Sequence, residues 1–229
     1  MLYLFILFQS VFSAFAPQDQ PQFKGGQNAL NSFLSQNLIY PDFSKQNCIS
    51  GTVQISFNID LNNKPVNIKV QKGFGIDLDD EAVRLVKLTA GKWILPANHD
   101  LNTTLVLPVN FNLNDYRCNN RSRNDMEQAI TAYKAREALA DAVTNYYKNK
   151  YLGKADASKE PEILALKKQL GFDDEYADEV VNQANQKLKQ GDSEGACEDW
   201  NFVRNIGSNK ADAQLAKYCK QASSKTPIL

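Results

Sequence analysis

The chain holds a single histidine, His99, in 229 residues. Chemistry that needs several imidazoles, such as a metal site built on histidines, is excluded by that count. Charge of one sign is not in excess either, since 26 basic residues balance 26 acidic ones. A nucleic-acid surface calls for a basic surplus or a basic face, and no long basic run occurs. The four cysteines include no Cys-x-x-Cys pair, which argues against zinc and against a redox-active dithiol. No glycine loop cradles phosphate ahead of a helix, and no serine is paired with a base. The sequence therefore reads as a non-enzyme that uses no cofactor and no metal. Apolar residues make up 43%, enough for a true core.

The one long apolar run is N-terminal. Leu2 to Phe8 is continuously apolar, and Ala14-Phe15-Ala16 has the small-x-small form of a signal-peptidase site. Residues 1–16 are read as a signal peptide, although the run has no leading Lys or Arg and Pro17 follows the cut. No cysteine follows that could carry a lipid. The competing reading is an uncleaved inner-membrane anchor, but 16 residues fall short of the roughly 20 that span a bilayer. Export, to a periplasmic or outer-membrane-associated location, is expected. Membrane contact would come only through this stretch if it stays uncleaved.

Residues 17–27 are expected to be an extended linker. Leu30, Phe33, Leu34 and Leu38 then follow helical spacing, and Tyr40-Pro41 stops that helix. Gly51 to Asp60 alternates strictly, with Val53, Ile55, Phe57 and Ile59 on one face. A turn at Asp60 to Asn63 leads into a second strand, about 64–71, with Val66, Ile68 and Val70 on one face. A helix over about 78–89 buries Leu78, Ala82, Leu85 and Val86. Asp77 and Asp79 stand where its cap belongs. Trp93 to Pro96 is an apolar connector. A third strand, about 103–113, carries Leu105, Leu107, Val109 and Phe111. Placing it beside the first strand makes the sheet wholly antiparallel, in the order second-first-third. Pro108 fits an edge, because proline cannot donate on both sides. The fold class is α+β: a three-stranded antiparallel sheet with two helices on one face. Helices about 124–149, 160–170, 174–189, 193–205 and 209–222 complete an all-helical end. A first domain is expected over 28–118 and a helical one over 124–229.

An even cysteine count in an exported chain suggests disulfides. Cys48 precedes the first strand and Cys118 follows the third, and antiparallel pairing brings those ends together. Cys197 and Cys219 are equidistant from Ser208, the centre of a helix-turn-helix. The pairs Cys48–Cys118 and Cys197–Cys219 are predicted.

Further residues carry a resemblance. Pro21 to Gly26, Leu30, Phe33-Leu34, Ile39-Tyr40-Pro41, Ile49 to Val53, the Asp60 turn, Leu78-Asp79 with Glu81-Ala82, Trp93 with Pro96-Ala97, and Leu107 to Phe111 occur in this order. Together they resemble the C-terminal domain of TonB in its Bacteroidetes-type form, over about residues 22–113. Gly191-Asp192, Gly195 to Cys197, Asp199-Trp200, Ile206-Gly207, Leu215 and Lys217 to Cys219 resemble a tetratricopeptide-like helix pair. The TonB resemblance implies a protein-interaction module of the cell envelope. Its partner would be a protein, such as an outer-membrane TonB-dependent transporter, bound as a strand added to the sheet edge. On that reading Thr104, Val106, Pro108 and Asn110 form the partner-binding edge, with Tyr40 and Pro41 as further contacts. The alternatives are a membrane-anchored energy transducer and a structural envelope protein with no transporter partner. Family transducers carry a long spacer after their anchor, whereas only residues 17–27 stand here between the apolar stretch and the domain.

Plainer roles stand beside these. Tyr40 can be a packed ring at a helix stop, and Pro108 a guard of the edge against unwanted pairing. Trp93, Trp200 and Tyr218 can be packing residues, and His99 a solvated loop side chain. Asp77, Asp79, Asp80 and Glu81 suit a capped helix start better than a metal site.

Overall fold

A computed structural model describes residues 20–113, 118 and 122–219. The expected signal peptide lies outside the described residues. The chain runs β1 (Gln22–Phe23), α1 (Gly26–Asn37), α2 (Asp42–Gln46), β2 (Gly51–Ile59), β3 (Pro65–Lys72), α3 (Asp77–Leu88), β4 (Trp93–Ile94) and β5 (Leu105–Phe111). Then come α4 (Arg123–Tyr151), a 3-10 turn at Ala157–Lys159, α5 (Glu160–Gln169), α6 (Asp174–Lys189), α7 (Ser193–Asn205) and α8 (Asp212–Tyr218).

The main sheet has the order β3-β2-β5 and is antiparallel throughout. The alternating residues of β2 put Val53, Ile55, Phe57 and Ile59 wholly out of water. With them are buried Leu107, Val109 and Phe111 of β5, Leu30 and Leu34 of α1, and Leu78, Ala82, Leu85 and Val86 of α3. The apolar stripes of the two helices thus meet one face of the sheet.

Several details depart from the sequence reading. Residues 22–23 are not free linker. They pair as β1 with Ile94 and Trp93 of β4, and Phe23 meets Trp93 edge to face at 5.7 Å. Val66, Ile68 and Val70 do not share one face. Asn67 has φ 53° and the β2–β3 register shifts between Ser56 and Asn58, so the bulge sets Val66 opposite Asn58. The third strand is shorter than expected and begins at Leu105, after Thr104. The side chain of Ile76, not an aspartate, stands at the N-cap of α3. Asp79 instead accepts from the N–H groups of Phe74 and Gly75 at 2.9 and 2.8 Å, which fixes the turn before the helix.

The helical end has its own core, centred on Trp200, Val203, Ile206, Val143 and Ala184. Asp173 caps α6 and Asp192 caps α7, each accepting an N–H at 2.9 Å. Gly207, at φ 79°, leaves space that the Tyr147 ring takes up. Disulfides join Cys48 to Cys118 and Cys197 to Cys219, with Cα separations of 5.3 and 5.7 Å. These are the two pairs expected.

Helix α4 belongs to both cores. It has 29 residues and is about 43 Å long. Ser122 and Asp125 close a capping box at its start. Ala129, Ile130 and Tyr133 lie against the sheet core. Val143, Tyr146 and Tyr147 lie in the helical one.

Candidate functional site

The sheet ends in two edges of different character. β3 is interrupted by two register shifts and bears Lys69 and Lys72. Bulges, lysines and edge prolines are devices that keep an edge from pairing with a stranger; β3 carries the first two and β5 only Pro108. β5 is regular: seven consecutive pairs run from Gly51–Phe111 to Phe57–Leu105 without a shift. Its sequence, LVLPVNF, has no charge. No described strand pairs with its outer side.

Along β5, Leu107, Val109 and Phe111 point to the core, while Val106, Pro108 and Asn110 are exposed on the open face. Asn110 accepts from the Thr52 hydroxyl at 2.7 Å. Thr104 sits just before the strand and accepts from the Asn58 amide at 3.3 Å. A proline in a paired strand keeps its nitrogen on the solvent side, which leaves the β2 ladder intact at Gln54–Pro108.

Beside the first half of β5 lies a cavity of about 420 Å³. One wall is Thr104 to Pro108 and the other is Gln20 to Phe23 with Gly26 and Gln27. Leu30, Phe57 and Trp93 complete the lining. The two walls do not pair with one another, since β1 pairs only with β4. The role of Gln20 to Phe23 here was missed by reading this stretch as linker. Pro21 and Phe23, buried on either side of exposed Gln22, are the alternation that could have revealed it.

Tyr40 and Pro41 are placed away from this edge cavity. The Tyr40 hydroxyl donates to the Ile49 carbonyl at 2.6 Å, and its ring meets Phe111 edge to face at 5.8 Å. Burial, with the nearby Asp77 charge, pushes its pKa up to about 12. Pro41 borders a second, polar cavity of about 750 Å³ between α3 and the α6–α7 pair. Carboxylates on its wall are tied internally. Asp77 accepts from the Ser44 hydroxyl at 2.5 Å, Asp42 from Gln183, and Asp199 from Lys187 at 2.8 Å. Burial raises the pKa of Asp77 and Asp199.

The centre of that junction is Arg84. Its guanidinium donates to both Glu81 oxygens at 2.6 and 2.8 Å, to the Asn37 carbonyl at 2.7 Å and to Gln190 at 2.8 Å. Asp192 lies 3.5 Å away. Glu81 also accepts the Ile39 N–H at 2.8 Å. Burial raises its pKa, and the Arg84 charge and hydrogen bonds oppose that rise. Trp93 donates to Thr89 at 2.9 Å within the core. His99 is held to the Ile59 carbonyl at 2.7 Å rather than standing free in solvent. Trp200 is fully buried and stacks on Tyr218.

Residues 36–113, from the end of α1 through β5, match the family model of the Gram-negative bacterial TonB protein C-terminal. No curated protein and no solved structure matches the chain. Among the described residues, no helix is long and apolar enough to cross a membrane.

Proposed function

We propose that this protein is an interaction module of the cell envelope that binds a protein partner by adding an extended partner segment to the outer edge of β5. The observation that carries the reading is the contrast between the edges: β5 is regular and uncharged, with no described strand on its outer side, while β3 is bulged and bears lysine. With the Pro108 nitrogen outward, Val106 and Asn110 present outward N–H and C=O groups on either side of it. Main-chain hydrogen bonds then supply affinity, and alternate side chains supply selectivity. The TonB-like segment supports an envelope setting and a partner such as an outer-membrane transporter. The chain acts after export, with residues 1–16 removed. Tyr40 contributes by packing, and Pro41 lies at the junction rather than at the edge. The α6–α8 hairpins are read as tetratricopeptide-like and as a rigid second surface.

The test is photo-crosslinking in cells, with a benzophenone amino acid at Val106, at Asn110 or, on the other edge, at Lys69. Adducts to one envelope protein from the two β5 positions and none from Lys69 are expected. Equal adducts from both edges, or none from Val106 and Asn110, would refute pairing at β5.

A further inference from the structure

Resting on strand addition at β5, we propose that the cavity beside its first half is a side-chain socket, selecting partner segments that carry one large, uncharged apolar residue. The pleat decides which partner side chains face the cavity. A strand laid against β5 places the side chains opposite Leu105 and Leu107 on the same side as those residues, toward the helices. That is the side on which the cavity opens, between β5 and Gln20–Phe23. The residue between them points the other way, to the open face beside Val106.

The lining determines what fits. It contains no charged residue. Its apolar part is built from core side chains: Phe57 is wholly buried, and Phe23, Leu30, Trp93 and Leu107 are nearly so. The indole N–H of Trp93 is already committed to Thr89, so the ring offers only its apolar surface. The polar members, Gln20, Gln22, Gln27 and Thr104, are neutral. A carboxylate or ammonium entering here would lose water and find no counter-charge. A leucine, isoleucine, methionine or phenylalanine would bury its whole side chain. Each wall is held by a strand partner, β1 by β4 and β5 by β2, so the socket takes its shape from the chain itself. The partner is thus an extended protein segment with an obligatory apolar anchor at one position, and tolerance at its neighbours.

The probe is a phage-displayed library of random decapeptides selected on the chain comprising residues 17–229. Enriched peptides are then synthesised and titrated by fluorescence anisotropy. A large apolar residue fixed at one position is expected. Its change to Asp should weaken binding roughly ten- to hundredfold. Gln27→Trp, which fills the socket from its rim, should weaken binding similarly at an unchanged thermal melt. Lys69→Glu on β3 should leave binding as it was. Backbone N-methylation at alternate peptide positions separates the two ideas. Peptides that are sensitive to N-methylation but indifferent to side-chain identity, or that bind Gln27→Trp equally well, would overturn the socket and leave strand addition standing. Peptides indifferent to N-methylation, or no enrichment at all, would overturn strand addition and the socket with it. Binding that appears only in chains lacking residues 17–19 would make the chain's own N-terminal segment the occupant, and would overturn a partner-filled socket.

Discussion

Replacing Arg84 with Met keeps most of the side chain's volume and removes every hydrogen bond it gives. Both Glu81 oxygens lose a donor, as do Gln190 and the Asn37 carbonyl. Glu81 is then a carboxylate 6% exposed, held only by the Ile39 N–H. Breaking one side of a buried ion pair costs about 3–5 kcal/mol, and the surviving N–H places Arg84→Met toward the lower end. The pH dependence has a definite sign. The folded Glu81 pKa already lies above its ordinary value through burial, and loss of the guanidinium raises it further. The folded state then holds that proton more tightly than the unfolded chain does. The penalty is therefore largest above the raised pKa and fades as pH falls through it. Urea titrations at about pH 7 and about pH 5 should show a larger stability loss for Arg84→Met at the higher pH. The double variant Glu81→Gln/Arg84→Met should regain about half of the loss at neutral pH, because the buried Glu81 charge is gone and Asp192, which also loses the guanidinium, keeps its hydrogen bond from the Gly195 N–H. A loss below about 1 kcal/mol, a loss that grows on acidification, or a double variant no better than the single would refute the stranded-charge argument.

Three other perturbations follow from the geometry. Cys197→Ala/Cys219→Ala opens a loop with a separation of 22 residues and should cost about 3 kcal/mol, read from the Trp200 fluorescence transition in urea with Trp93→Phe as the background. Gly207→Ala should cost more than the roughly 1–2 kcal/mol of a left-handed residue, since its Cβ would meet the Tyr147 ring. A melt within about 1 kcal/mol of the parent would show that the ring yields freely. Tyr40→Phe should cost about 0.5–1.5 kcal/mol and remove the ionisation at about 12 from an absorbance titration. In the parent, stability should decline from the ordinary tyrosine range upward, because the unfolded chain ionises there before the folded one does.

Where the sequence alternates or repeats at helical spacing, it discloses the fold. The pattern from Val53 to Ile59 gave the central strand its buried face, and the positions of Cys48 and Cys118 followed from antiparallel pairing. The failures have local causes. The Asn67 bulge is a single left-handed residue, and period-two reading carries straight through it. Helix α2, at 42–46, is too short to show a period. β1 and β4 are two residues each and are made by one another, so neither is visible alone. The socket inherits that limit: its far wall is a contact between residues some seventy positions apart. Arg84 and Glu81 are neighbours on a helix turn, but the groups that hold them come from elsewhere: Asn37 and Ile39 at and just after the end of α1, and Gln190 and Asp192 between α6 and α7, more than a hundred residues on.

The family match ends at residue 113, yet the surface that segment needs covered does not. Phe43 and Phe74 lie in the sheet core's outer layer with Ala129, Ile130 and Tyr133 of α4, and the Phe43 and Tyr133 rings are 4.7 Å apart. Excising the matched segment as a minimal fragment would strip off that roof and present an apolar patch to solvent. Such a fragment should be stickier than its parent for reasons unconnected with its partner. The cut that similarity recommends and the cut that solubility permits therefore fall at different places in this chain.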